Sequence, residues 1–431
     1  MPELDTGNNT WILISAALVL LMTPGLALFY GGLTRAKSVI NMMMKCLVAI
    51  GIVSIAWVLV GESIAVGDGG GNLLFSNDFS SAFGAQYILD APINDDGVST
   101  AAMSAFGMMF AIITVALIAG AVADRMKFSA WVIFATAWVV LVYAPVAYWV
   151  WSDGWIGDLG VLDFAGGTAV HANAGAAALA LALVVGRRIG WKDGNFAPHN
   201  LPLVVIGAGL LWFGWFGFNA GSAFVSDSIA GLALLNTQVA TAAAILAWLL
   251  IDRIRGIKPS VLGACSGVIA GLVAITPAAG LVTPLGAIAL GAVAGAICPL
   301  AIGLKHKIGY DDSLDVVGLH MVAGIWGSIS VGLFAYEGVA GVNGVFYGGE
   351  FSFLGYQTIA VLAVVAFSFV AALIIGLILK YTIGVRISEE EELAGIDAAE
   401  HGEAGYDLPV NGEAITTAPT SEADAPEKIE A

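Results

Sequence analysis

DFAGGTAVHANAGAAALALALVV, residues 163–185, has the composition of a membrane helix, yet it carries an aspartate at its start and a histidine well inside. Ionisable side chains are costly in hydrocarbon, and those that occur there usually serve a function or pair with one another. His171 is therefore the first candidate functional residue of the chain. The fold that surrounds this segment must explain what the imidazole faces.

The overall composition is that of a polytopic membrane protein. Of the 431 residues, 59% are hydrophobic and 11% are charged, whereas soluble domains carry about 25% charged residues. The 55 glycines favour tight packing, because small residues let membrane helices approach closely. All three cysteines (Cys46, Cys265 and Cys298) lie in or beside apolar segments, so neither a disulfide framework nor a metal site is predicted.

Eleven segments are long and apolar enough to cross a bilayer, which takes about 20 residues. The predicted spans are residues 11–32, 43–65, 101–122, 128–149, 164–186, 201–219, 230–251, 260–277, 283–303, 314–335 and 355–383. Within this region, lysine and arginine occur only in or beside the connections that follow spans 1, 3, 5, 7 and 9, and at the end of span 11. The positive-inside rule places these connections in the cytoplasm, so the N-terminus is predicted outside and the C-terminus inside.

The chain divides by charge into a membrane domain, residues 1–386, and an acidic cytoplasmic tail, residues 387–431. The tail holds 13 acidic residues and one basic residue, so it carries −12 of the net charge of −17. Residues 388–409 mix acidic and apolar side chains, whereas 410–431 are rich in Ala, Glu, Pro and Thr and are predicted to be disordered. A solvated tail is the simplest interpretation of this composition.

A second histidine occupies the matching position of span 10. Asp163 precedes His171 by eight residues, and Asp312 precedes His320 by eight. If these residues are helical, each histidine lies about 12 Å along its helix. Spans 5 and 10 enter from opposite sides of a core about 30 Å thick, so both histidines would lie near its middle. This spacing predicts an all-α fold with an inverted 5+5 repeat and one extra helix. The repeats are about 11–186 and about 201–335, and the extra helix is about 355–383.

The residues alone leave other interpretations of these positions open. A buried histidine is often a satisfied interhelical hydrogen bonder, and histidine is also a common metal ligand. No Cys, Glu or third His is placed at a similar depth, so no metal is predicted. Asp163 is more simply explained as a helix N-cap. No nucleophile accompanies the histidines, so the chain is not predicted to be an enzyme and no cofactor is expected.

Several long motifs resemble the ammonium transporter family (Amt/Mep/Rh), and specifically its prokaryotic Amt-type members. They are DFAGGTAVH at 163–171, WFGFNAGSA at 215–223, YAPVAYWVW at 143–151, DDSLDVVGLH at 311–320 and GIDAAEHGEAGY at 395–406. The resemblance implies a multi-pass homotrimer of the cell membrane with a path for ammonia through each subunit. It also implies a PII-type regulatory protein that docks near the tail, and no nucleic-acid partner.

The same resemblance implies roles for aromatic residues near one end of that path. Trp151, Phe110 and Ser222 correspond to an outer site that recruits ammonium. Phe110 and Phe218 correspond to two stacked rings that block the path below it. The family often has a glutamine after the phenylalanine matched by Phe106, and here Gly107 stands in its place.

The resemblance also implies roles for the ionisable residues. His171 and His320 correspond to a hydrogen-bonded imidazole pair that lines the path. Asp163 corresponds to an aspartate beneath the recruitment site, and Asp312 is assigned a similar supporting role before His320.

This residue set suits the chemistry of ammonium. An aromatic face attracts a cation by about 0.5–2 kcal/mol, and a serine hydroxyl accepts an N–H bond that potassium cannot offer. Neutral ammonia enters an apolar path far more cheaply than a charged ion. The predicted function is therefore ammonium transport by deprotonation and conduction of ammonia, with or without coupled proton transfer. An ammonium sensor that signals through the tail and a PII-type partner is the alternative.

Overall fold

The computed structural model describes residues 2–66, 74, 87–152, 154–193, 196–406, 409–410 and 413–414. Over these residues the chain is almost entirely helical, and eleven helices are long and apolar enough to cross a membrane. Spans 1 to 11 are Thr6–Leu33, Ala36–Val66, Thr100–Val122, Phe128–Asp158, Gly167–Val185, Leu201–Gly221, Ser228–Ile254, Val261–Ala278, Pro284–Ile308, Val317–Phe334 and Phe351–Thr382. The predicted all-α polytopic class and its eleven spans are confirmed.

Helix caps explain where several spans begin. Span 1 starts at Thr6, earlier than predicted, because the Asp5 carboxylate accepts the backbone N–H of Asn8 at 2.9 Å. Span 7 likewise starts at Ser228, where Asp227 accepts the N–H groups of two residues in the first turn. Polar residues at these caps extend each helix beyond its apolar stretch, so hydropathy alone places the start too late.

Spans 5 and 10 both open with a π-helical turn that contains the histidine. These turns are Gly167–Ala172 and Val317–Met321, and such turns often occur at functional sites. The residues before span 5 are not helical, and Gly166 has a φ of 110°. The assumption that Asp163 and His171 are separated by eight helical residues was therefore wrong. His171 lies about one turn from the start of its helix.

Glycine brings several pairs of spans into close backbone contact. Span 1 packs along span 6, where a Cβ atom at Gly207 would lie 2.6 Å from the Cα atom of Phe29. Spans 5 and 10 meet where a Cβ atom at Gly175 would lie 2.6 Å from the Cβ atom of Met321. Both distances are shorter than real Cβ contacts. Only glycine permits these approaches, as expected for helices that pack through small residues.

Four connections that carry basic residues meet at one end of the molecule, which we call the basic face. Arg35 pairs with Asp124 at 3.2 Å, and Arg188 pairs with Asp124 at 3.0 Å and with Asp311 at 2.9 Å. These residues follow spans 1, 3, 5 and 9. Connections that were predicted to lie on one side are thus joined by ion pairs, and the two aspartates in these pairs are buried.

The connections after spans 2, 4, 6, 8 and 10, which contain no lysine or arginine, lie at the opposite end, and we call this end the base-free face. Asn8, near the N-terminus, joins three segments there. Its amide N–H donates to the carbonyl of Asp96 at 3.0 Å, and its amide oxygen accepts the N–H of Ser226 at 3.0 Å. Asp96 and Ser226 lie in the connections after spans 2 and 6.

The first part of the acidic tail folds back onto the basic face. It forms two short helices, Glu389–Ala394 and Ile396–His401. The Asp397 carboxylate accepts the backbone N–H groups of Ile40 at 3.0 Å and Asn41 at 2.8 Å, near the start of span 2. This part of the tail is packed rather than solvated.

The end of the tail is described at only a few positions. Pro409–Val410 and Glu413–Ala414 form a short antiparallel pair of strands. The predicted disorder of 410–431 otherwise falls outside the residues that the structure describes.

Candidate functional site

A cavity of about 500 Å³ lies at the base-free face, and we call it the aromatic cavity. Its described lining includes Trp57, Glu62, Ser104, Phe106, Gly107, Phe110, Tyr143, Trp151, Asp163, Ser222 and Phe224. Trp151 is 39% exposed and stands edge-on to Phe110, with ring centroids 6.1 Å apart. The Trp151 indole N–H donates to the backbone carbonyl of Asp163 at 2.8 Å, which holds the ring at the cavity.

Two stacked phenylalanine rings lie beneath this cavity. Phe110 and Phe218 are buried, with centroids 4.0 Å apart and planes inclined by 17°. The Ser222 hydroxyl, on the cavity wall, donates to the carbonyl of Phe218 at 2.9 Å. That bond uses the serine proton and leaves the oxygen able to accept a further hydrogen bond. The centroid of Phe218 lies 6.0 Å from that of His171, so the rings separate the cavity from the imidazole.

The two intramembrane histidines are in direct contact. The Nδ1 atoms of His171 and His320 lie 3.3 Å apart, and both side chains are buried. The Trp215 ring stacks on His171 with a centroid distance of 5.2 Å. Among the described residues, the Nε2 atom of His171 has no hydrogen-bond partner, so it is available to a ligand.

Asp163 organises the start of span 5 through backbone contacts alone. Its Oδ1 atom accepts the N–H groups of Gly166 at 2.9 Å and Gly167 at 2.7 Å. Its Oδ2 atom accepts those of Thr168 at 2.9 Å and Ala169 at 3.0 Å. Burial raises the pKa of this carboxyl, and the four N–H donors act in the opposite direction. Asp163 therefore shapes the turn that carries His171 and, through its carbonyl, positions Trp151.

Asp312 has a related place at the start of span 10, with fewer contacts. Its Oδ2 atom accepts the backbone N–H of Val317 at 2.7 Å. Burial raises the pKa of its carboxyl to about 6, although Lys305 nearby lowers it. Asp163 and Asp312 thus both begin a histidine-bearing helix, but only Asp163 accepts four N–H groups.

A second cavity, of about 350 Å³, lies at the basic face. It is lined by residues of the basic face, including Arg188 and Lys305, and by Leu319, which directly precedes His320. Through Leu319, this cavity reaches the neighbourhood of His320 from the basic face. No three His, Cys, Asp or Glu side chains in the described part of the chain lie close enough to hold a metal ion.

The structure brings six of the eight residues selected from the sequence into one succession. They are Trp151, Ser222, Phe110, Phe218, His171 and His320. Asp163 and Asp312 lie beside this succession and contact the helix starts. The sequence reasoning missed Trp215 and Glu62. Both could have been identified from the sequence. Trp215 lies in the motif WFGFNAGSA, three residues before Phe218, and Glu62 is a carboxylate within the apolar span 2.

The chain matches the model of the Ammonium Transporter Family over residues 10–406. It is 52% identical over 437 residues to an ammonium transporter of Mycobacterium tuberculosis (strain ATCC 25618 / H37Rv), covering 94% of this chain and 91% of that one. It resembles the crystal structure of Candida albicans Mep2 with a TM-score of 0.81 and 35% identity, over 90% of this chain and 88% of that one. It also resembles a structure named Sensor Amt Protein with a TM-score of 0.84 and 30% identity, over 92% and 98% of the two chains. Because the family model matches residues 10–406 of the 431, this multi-pass membrane protein belongs to the ammonium transporter family.

Proposed function

We propose that the chain transports ammonium across the cell membrane. In this proposal it binds ammonium in the aromatic cavity and conducts ammonia past the phenylalanine rings and along the histidine pair. The observation that carries the proposal is the order of the contacts. Trp151 touches Phe110, Phe110 stacks on Phe218, and Phe218 approaches His171, which contacts His320. The aromatic cavity lies at the Trp151 end of this order, and the second cavity reaches Leu319, the residue before His320.

Trp151 and Ser222 would select ammonium at the entrance. The indole face attracts any small cation by about 0.5–2 kcal/mol. The Ser222 oxygen adds an acceptor, since its own proton is used on the Phe218 carbonyl. Ammonium can donate an N–H bond to that oxygen, and potassium cannot.

The stacked rings would then favour loss of the ammonium proton. Phe110 and Phe218 offer no polar side-chain atom, so an ion that leaves the cavity exchanges water for an apolar surface. This exchange costs a charged ion several kcal/mol and costs neutral ammonia much less. Deprotonation before the rings is therefore the cheaper route.

The histidine pair would receive ammonia beyond the rings. In a neutral pair, one Nδ1 atom donates to the other, so the donating ring has a bare Nε2 atom and the accepting ring carries an Nε2–H group. The pair then presents one acceptor and one donor. Ammonia can satisfy both, because it has N–H groups and a lone pair.

Charge and family membership support a proposed orientation and assembly. We place the basic face in the cytoplasm, in keeping with the positive-inside rule, so the aromatic cavity would open outside. We further propose that residues 1–386 form the transport domain of a homotrimer. The tail, 387–431, would lie beside the docking site of a PII-type regulatory protein. The packing of Asp397 against span 2 supports a tail that senses or stabilises the basic face.

The family match favours transport over the alternative of a sensor without flux, although one structural relative is named a sensor. The deciding experiment is current recording from purified protein in liposomes under ammonium and potassium gradients. We expect ammonium-dependent current or an internal pH change, with little response to potassium. Protein-free liposomes provide the control. Absence of transport of both ammonium and methylammonium would contradict the proposed function.

A further inference from the structure

Glu62 is a carboxylate in span 2 that the route described so far does not use. It is 3% exposed and lines the aromatic cavity together with Trp151 and Ser222. The Ser104 hydroxyl donates to its Oε2 atom at 2.6 Å, which holds the carboxylate in place. Intramembrane carboxylates are expensive to bury, so one that lines a cavity is a candidate binding group.

Gly107 gives the Glu62 wall of the cavity its shape. A Cβ atom at Gly107 would lie 3.2 Å from the Cζ2 atom of Trp57, a contact tighter than most real Cβ contacts. The Trp57 ring therefore occupies space that a longer side chain at 107 would fill. Trp57, Glu62, Ser104 and Gly107 all line the aromatic cavity, and we call these four residues the side wall.

Asp163, the other carboxylate of the cavity, makes its hydrogen bonds to the backbone at the start of span 5. Both oxygens of Asp163 already accept two backbone N–H groups each. A carboxylate has about four acceptor positions, so Asp163 is saturated by its own backbone. The described lining of the cavity contains the two acidic residues Glu62 and Asp163 and no lysine or arginine. A cleft lined by acidic groups alone raises the local concentration of cations.

We propose that Glu62 is a second cation-binding group of the aromatic cavity, which pairs with an ammonium or methylammonium ion at the side wall. Only the choice of cation rests on the proposed function. Hydrogen bonds from a cation to a carboxylate are roughly twice as strong as neutral ones, so this site adds affinity that Trp151 and Ser222 do not supply. A carboxylate also attracts potassium, so Glu62 concentrates monovalent cations and leaves discrimination to Ser222 and the histidines.

The test compares Glu62→Gln with a matched control, Glu350→Gln. Glu350 is exposed at the base-free face, and its Oε2 atom accepts the Ser352 hydroxyl at 2.9 Å, but it does not line the cavity. In liposomes, we expect Glu62→Gln to raise the half-saturating ammonium concentration about tenfold, the effect of losing one charged hydrogen bond. Glu350→Gln should match the wild type. A half-saturating concentration unchanged in Glu62→Gln would overturn the proposal.

A second variant and a second measurement guard against misfolding and against failure of transport itself. Ser104→Ala keeps the Glu62 charge but removes the hydroxyl that holds it, so a smaller rise in the half-saturating ammonium concentration is expected.

Ammonium chloride should raise the melting temperature of the wild type more than sodium chloride does, since a ligand stabilises the state that binds it. This difference should be lost in Glu62→Gln and reduced in Ser104→Ala. Equal ammonium stabilisation of the wild type and either folded variant would overturn the site. Absent flux in a wild type that ammonium still stabilises would instead contradict only the transport proposal.

Discussion

The Nδ1 atoms of His171 and His320 lie 3.3 Å apart, although 149 residues separate them in the chain. Each histidine lies in the π-helical turn that opens its span, and the two turns come from helices in matching positions of the predicted repeats. Because the imidazoles contact each other directly, the hydrogen on one ring determines which nitrogen of the other can accept a bond. The two side chains therefore act as a pair.

Replacing either histidine should impair both flux and selectivity. His171→Ala or His320→Ala removes one ring and leaves the other without its partner, so we expect uptake to fall by about tenfold or more, the effect of one lost buried hydrogen bond in the transport barrier. Potassium should also inhibit uptake more strongly. Liposome uptake of ammonium with and without potassium measures both effects. Wild-type discrimination in both variants would remove the pair from the selective step.

Trp151→Leu should mainly weaken apparent affinity. The loss of a cation–π contact of about 0.5–2 kcal/mol corresponds to a rise of roughly 2- to 30-fold in the half-saturating ammonium concentration. Trp155→Leu is the control, because Trp155 packs on Trp149 and is not among the cavity-lining residues. An unchanged concentration dependence in Trp151→Leu would count against recruitment by this ring.

Asp163→Asn should destabilise the start of span 5. An asparagine keeps one acceptor oxygen but replaces the other with an NH₂ group. In the wild type, that second oxygen accepts the backbone N–H groups of Thr168 and Ala169, and an NH₂ group cannot accept them. We expect a loss of about 2–3 kcal/mol of stability, typical of buried groups left unsatisfied, and a parallel loss of transport. Thermal unfolding and uptake are the measurements. Asp158→Asn, at the exposed end of span 4, should leave both unchanged.

Arg188→Ala should remove the ion-pair partner of Asp311 and one of the two partners of Asp124, both of which are buried at the basic face. Removing one partner of a buried ion pair typically costs about 3–5 kcal/mol. Burial raises the pKa values of Asp124 and Asp311, but the neighbouring arginines lower them by a larger amount. Both pKa values are therefore below the usual value of an aspartate. Thermal unfolding measures the loss, and Arg253→Ala, at an exposed position of the same face, is the control.

The loss in Arg188→Ala should also depend on pH. Carboxyl groups with lowered pKa values stabilise the folded wild type at pH values above about 3.9, the ordinary pKa of an aspartate. This contribution is lost as the pH falls through the lowered pKa values. The difference between the wild type and Arg188→Ala should therefore be largest near neutral pH and shrink in acid. A difference that grows as the pH falls would contradict the ion-pair explanation.

Gly291→Ala should separate spans 7 and 9. A Cβ atom at this position would overlap the backbone carbonyl of Ala240, which cannot move without displacing span 7. We expect a loss of about 1–3 kcal/mol from overpacking, measured by thermal unfolding. Gly231→Ala, in span 7, is the matched control because a Cβ atom there meets nothing within 4 Å. Equal stability of the two variants would show that the helices do not depend on this contact.

The sequence by itself determined the number of spans, their class and their alternation between two faces. These properties depend on the local length of apolar segments and on the charge of each connection, which do not require knowledge of helix packing. The motifs also identified the residues that the structure brings together, from Trp151 to His320. The tail is an intermediate case, since its composition favours solvation while the structure packs Asp397 on span 2.

Only the tertiary structure decided how these residues meet. Because Gly166 takes the N-cap position, Asp163 lies before the helix and accepts four backbone N–H groups, rather than acting as the predicted N-cap itself. The side wall with Glu62 depends on Trp57 and Ser104 from two packed spans, and hydropathy treats all of them as one apolar background. Helix packing in a membrane is set by shape and by polar contacts between distant segments. A single sequence does not specify these contacts locally, which is why the distances within the site emerged only from the folded chain.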